Sequence, residues 1–132
     1  MTESIVVKPD MLKFAKFATI LVIVLTLGQA STGLSRYSGY DVAASHAYAA
    51  QLGLLACIAV VALVIMSKSE NKKLKGMSFG LATAWLLQYG LGEMFAKMAW
   101  VSLIHAVLAM AIFGHALALL RTISAEHAKH SE

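Results

Sequence analysis

Charge is what this 132-residue sequence has least of: 14% of its residues are Asp, Glu, Lys or Arg, against 59% hydrophobic. Mean hydropathy is +0.73, far from the mix of an ordinary soluble domain. Cysteine is nearly absent as well. Cys57 stands alone inside an apolar run, which excludes an intramolecular disulfide and a thiolate metal cluster and reads as a small buried hydrophobe. Nor is there a basic patch interleaved with aromatics, so the net charge of +4 carries no nucleic-acid signal.

What is present is a set of long uncharged runs, at residues 17–35, 42–67, 76–92 and 98–120. Each is near the roughly 17–25 residues that cross a bilayer as a helix, and in lipid only helices satisfy the backbone of such runs. They predict an all-α, integral membrane four-helix bundle, a single domain over residues 1–132 with spans at about 14–35, 42–67, 76–95 and 98–120. No small-residue cleavage site follows a short apolar region, so the first run is expected to stay in the mature protein. Lysine and arginine set the orientation. With both termini cytoplasmic, the inner side holds Lys8, Lys13, Lys16, Lys68, Lys72, Lys73, Lys75, Arg121 and Lys129, and the outer side only Arg36 and Lys97. That predicts a multi-pass protein of the cell membrane, its positives lying against anionic lipid.

An ungapped self-match at an offset of 59 residues pairs Gln29 with Gln88, Gly33 with Gly92, His46 with His105, Ala47 with Ala106 and Ala50 with Ala109. Both hairpins read Q-x3-G-x12-H-A-x2-A. Two tandem hairpins of the same sense are expected to be related by a pseudo-twofold axis along the membrane normal, placing the histidines opposite one another near the outer surface.

An imidazole inside a bilayer is costly and marks a functional site when its partner can be named. Here each histidine has the other. With no carboxylate or thiolate beside them, His46 and His105 suit the two axial positions of a haem iron, most simply a b-type haem, better than a tetrahedral zinc site. Ala50 and Ala109, one turn on, share the ligand faces and leave room for a flat macrocycle. Gln29 and Gln88 either bond the haem edge or a ligand ring nitrogen, or tie helix to helix. Arg36, and by the same logic Lys97, is a candidate partner for a haem propionate. The alternative is that the two histidines only bond across helices. His115, some 80° off the ligand face at about 100° per residue, reads as an interhelical hydrogen bonder. His127 and His130 fall in a polar tail expected to be solvated.

The stretches "LGQASTGLSRYSGYDVAASHAYAAQLG" and "LLQYGLGEMFAKMAWVSLIHAVLA" resemble one half of the haem A synthase family, membrane proteins that oxidise a methyl group of haem O and consist of two similar four-helix halves. The likeness covers roughly residues 14–120 and makes the chain resemble a half-length member. It implies that His46 and His105 ligate haem. The sequence departs from the catalytic half at Ala43, where the family has a glutamate, and in lacking loop cysteines. Asp41 and Glu93 are then the remaining carboxylates on the outer side, weak candidates for a catalytic role. Three functional expectations follow: a haem protein of synthase type, a b-type cytochrome subunit of a membrane oxidoreductase, or a cofactor-free accessory subunit. The chain is expected to work as a homo-oligomer or within a membrane respiratory complex.

Overall fold

The computed structural model describes residues 6–94, 98 and 100–131. Four helices account for nearly all of them: α1 (Pro9–Tyr37), α2 (Ala43–Met66), α3 (Lys72–Met94) and α4 (Val101–His130). Each of α1 and α3 packs against both α2 and α4, so the helices close a four-membered ring. Short connections at 38–42 and 67–71 make sequence neighbours antiparallel. One end of the bundle carries the α1–α2 connection and the two repeated histidines, and is called the histidine end. The other carries the α2–α3 connection and most of the lysines, and is called the lysine end.

The core is written as a stripe at alternating spacings of three and four. It runs Leu12, Ala15, Thr19, Val22, Thr26 on α1, Gly53, Cys57, Val60, Val64 on α2, Leu74, Ser78, Leu81, Trp85 on α3, and Ile112, Ala116, Leu119, Ile123, Glu126 on α4. That spacing keeps one face of each helix toward the bundle axis. The buried hydroxyls cost little because each bonds its own helix, Thr19 to the Ala15 carbonyl and Thr26 to that of Val22, both at 2.8 Å.

Outside the stripe the surface is apolar. Val24, Leu55, Ile58, Leu86, Leu103, Val107 and Met110 are all more than half exposed, an arrangement that suits hydrocarbon and not water. Three helices, α1, α2 and α4, are long and apolar enough to cross a membrane. Helix α3 is less apolar: between its lysines and Glu93 the stretch Gly76–Gly92 holds four glycines and Gln88. Tyr37, Tyr40, Tyr48 and Trp100, all strongly exposed, gather at the histidine end, as aromatic side chains do at a membrane–water boundary.

The lysine end differs from the solvated tail expected there. Helix α4 continues to His130, because the stripe continues past Ile123 to Glu126. The Glu126 carboxylate accepts hydrogen bonds from Ser69 Oγ (2.5 Å) and Asn71 Nδ2 (3.0 Å) and lies 3.4 Å from His130 Nε2. Asn71 also caps α3, its Oδ1 accepting from the Leu74 N–H at 3.0 Å. The Lys8 N–H donates to the Ser67 carbonyl at 2.8 Å. One carboxylate thus ties α4 to the α2–α3 connection, which in turn holds the start of α1.

Glu126 lies beyond the apolar part of α4, which ends before Arg121. Its burial works against ionisation, but the bonds from Ser69 and Asn71 and the charges of His130 and Lys129 outweigh it and hold the pKa below the ordinary 4.5. A depressed carboxylate pKa contributes stability that is complete above the unfolded value and is lost as pH falls through the folded one. Thermal unfolding in detergent between pH 7 and pH 3 is therefore expected to show a loss below about pH 4.5 that is diminished in Glu126→Gln. Equal acid sensitivity in both proteins would remove Glu126 from this role.

Candidate functional site

The stripe does not stop where the apolar core ends. On α1 it continues from Thr26 to Gln29, Gly33 and Arg36; on α2 it runs back from Gly53 through Ala50 to His46; on α3 it reaches Gln88 and Gly92; on α4 it includes His105. The rule that builds the core therefore turns the repeated polar residues toward the interior of the histidine end.

There the rings of His46 and His105 face one another, centroids 6.5 Å apart and planes inclined at 50°. The same two contacts hold each of them. Gln29 Nε2 donates to the His46 carbonyl at 2.5 Å, and Gln88 Nε2 to the His105 carbonyl at 2.9 Å. A Cβ added at Gly33 would lie 3.4 Å from His46 Cε1, and one at Gly92 3.4 Å from His105 Cε1. Of the readings open for Gln29 and Gln88, the amide nitrogens take the helix-to-helix bond, and what they hold is the backbone of the histidine. Gln88 Oε1 is buried with no hydrogen-bond partner among the described residues. His46 has a further contact, Nδ1 lying 2.8 Å from Thr32 Oγ1.

Among the described residues none between 27 and 52, 86 and 94, or 102 and 111 is fully buried, whereas the stripes nearer the lysine end are close-packed. Ala50 and Ala109, one turn from the histidines toward the lysine end, are half-buried. Trp85 lies on the core side of the pair: its Nε1 donates to the Ala50 carbonyl at 2.9 Å, and its ring lies so close to α2 that a Cβ at Gly53 would overlap Cζ2. The result is a site in which two imidazoles face one another, with small residues near them and an indole toward the packed core.

The remaining candidates lie at its rim or outside it. Arg36 is exposed one turn beyond Thr32, on the same face, with no ion pair among the described residues. Asp41, in the α1–α2 connection, and Glu93, in the last turn of α3, are exposed. Lys97 lies outside the described residues. His115 makes the interhelical bond expected of it, Nε2 donating to the Met77 carbonyl at 2.8 Å, beside Gly80. Thr32, Trp85 and Gly53 have no counterpart in the repeat, which is why comparing the halves passes over them; Trp85 and Gly53 lie on the buried stripes of α3 and α2, whereas Thr32 lies beside the α1 stripe and is found only through its contact with His46.

No three His, Cys, Asp or Glu side chains converge on a common point among the described residues. His46 and His105 face one another with ring centres 6.5 Å apart and would be the two residues to hold a metal there, one that brought its other donors with it, as a haem iron does.

The chain matches no family model, no curated protein and no solved structure.

The Trp85–Gly53 contact is open to direct test. Gly53→Ala forces a methyl into the indole, and overpacking of this kind costs about 1–3 kcal/mol. Thermal unfolding in detergent is expected to fall accordingly and to be partly restored by Gly53→Ala with Trp85→Leu, which removes the obstructing ring. Full stability in Gly53→Ala alone would contradict the contact.

Proposed function

We propose that the protein is a haem-binding integral membrane protein, with His46 and His105 as the axial ligands of one b-type haem, working in haem or respiratory redox chemistry. The observation that carries this reading is the pair of imidazoles, brought from α2 and α4 to 6.5 Å apart. When bound, haem supplies a one-electron redox centre in a low-dielectric site. The residues of the chain do the rest. Gln29 and Gln88 hold the histidine backbones, Gly33 and Gly92 let the rings lie close to α1 and α3, and Trp85 bars the macrocycle from the packed core. Ala50 and Ala109 leave space on the ligand faces, and Arg36 stands at the rim as a guanidinium partner for a propionate.

In this reading α3 is a fourth span, supported by its packing between α2 and α4, and the hairpins are related by a pseudo-twofold axis along the membrane normal. The recurrence of the Gln and Gly contacts at an offset of 59 supports that symmetry. Nine lysines and arginines against two put the termini in the cytoplasm and the haem near the outer face of the cell membrane. The likeness to half of a haem A synthase agrees with this arrangement.

One observation favours electron transfer over synthase chemistry. The chain offers two histidines to one haem, and a haem so held would supply electron transfer in place of oxygen chemistry. Asp41 and Glu93 are exposed. A b-type cytochrome subunit in a homo-oligomer or a larger membrane oxidoreductase is therefore the second reading that the site supports.

The test is a dithionite-reduced minus oxidised spectrum of protein purified in mild detergent with native partners retained. Wild type is expected to show sharp low-spin α and β bands, lost in both His46→Ala and His105→Ala. Folded wild type without haem would overturn the proposal and leave an accessory subunit whose polar pairs serve packing.

A further inference from the structure

Thr32 is the side chain whose geometry constrains His46 most. It lies on α1 one residue before Gly33, its Oγ1 2.8 Å from His46 Nδ1. A threonine hydroxyl has one hydrogen to give and two lone pairs to accept with. The Gly28 carbonyl, 2.8 Å away, and the Gln29 carbonyl, at 3.3 Å, are placed to accept that hydrogen, and carbonyl oxygens only accept. With the hydrogen on the Gly28 carbonyl, Thr32 has lone pairs to offer His46, and Nδ1 then carries the ring hydrogen.

We propose that Thr32 is a positioning residue that locks His46 in its Nδ1–H tautomer and so presents the Nε2 lone pair for metal ligation. A neutral imidazole has one N–H, so fixing it on Nδ1 frees Nε2. The role in ligation rests on the haem reading above; the tautomer does not. An acceptor on Nδ1–H also raises the basicity of Nε2, which favours the ferric over the ferrous state of a bound iron. Gly33 contributes by letting the Nδ1–Cε1 edge of the ring approach α1, where a Cβ would stand 3.4 Å from Cε1. The device belongs to one hairpin: 59 residues on, the place of Thr32 is taken by Leu91, which has no hydroxyl.

His115 provides an internal contrast. Its Nε2 faces the Met77 carbonyl at 2.8 Å, so it must be the Nε2–H tautomer when neutral. The two histidines thus carry their hydrogens on opposite nitrogens within one molecule.

The experiment is 15N NMR of histidine-labelled full-length chain, prepared without haem in detergent at a pH where the imidazoles are neutral, with resonances assigned by single substitution. His46 is expected as Nδ1–H and His115 as Nε2–H. In the near-isosteric Thr32→Val the His46 signals are expected to move toward the Nε2–H pattern while those of His115 stay, and Thr32→Ser restores them. His46 as Nε2–H in wild type, or unchanged in Thr32→Val, overturns the proposal. On haem titration, Thr32→Val is expected to bind about 10–100-fold more weakly and, once loaded, to have a raised midpoint potential, with Thr32→Ser again restoring both. Unchanged affinity and potential overturn the role in ligation. If wild type binds no haem but the tautomers are as stated, the haem reading fails and the assignment of Thr32 to His46 stands.

Discussion

The arrangement of the histidine end depends on one constraint: a polar ring inside an apolar helical bundle must be held by something, and two such rings must be held at a fixed separation. Imidazoles are expensive in hydrocarbon surroundings, and this chain places two of them on the same core-facing stripes that elsewhere carry leucine, valine and alanine. Each is fixed through its backbone by a glutamine on the neighbouring helix and given room by a glycine on that helix. The amides grip the carbonyls, so what they fix is the backbone that carries each ring.

The two ends of the bundle solve different problems. At the lysine end the stripes meet, the side chains are buried, and Glu126 joins α4 to the α2–α3 connection through Ser69 and Asn71. At the histidine end the stripes carry glycine, alanine, glutamine and histidine, and most of their side chains are less buried than those at the lysine end. Trp85 marks the boundary, its indole seated on Gly53. The close-packed half supplies a base from which the four helix ends project, the support that the proposed haem site would need.

Much of this was legible in the sequence. The uncharged runs locate α2 and α4 well, and the repeat of Gln, Gly and His at one offset identifies the residues that converge. Helix ends were harder to read: α1 begins at Pro9 and α4 runs to His130, because amphipathic turns continue beyond the apolar stretch, and a search for uncharged runs stops at the first charge. Reading the stripe instead, from Ala116 through Leu119 and Ile123 to Glu126, carries α4 to its observed length. Thr32 and Trp85 stayed hidden because each depends on a partner 14 or more residues away that only the packing brings near. The division of labour in the glutamine side chains is likewise a matter of tertiary geometry, since a spacing of residues does not specify which atom a flexible amide reaches.

The central claim is that His46 and His105 together bind one iron. Low-temperature electron paramagnetic resonance of the oxidised, purified protein addresses it directly, because the signal reports the axial field at the iron. The account predicts a low-spin ferric signal in wild type and its replacement by a high-spin signal wherever a single-histidine variant retains haem. A high-spin signal in wild type, or a low-spin signal that survives the loss of either histidine, would contradict it.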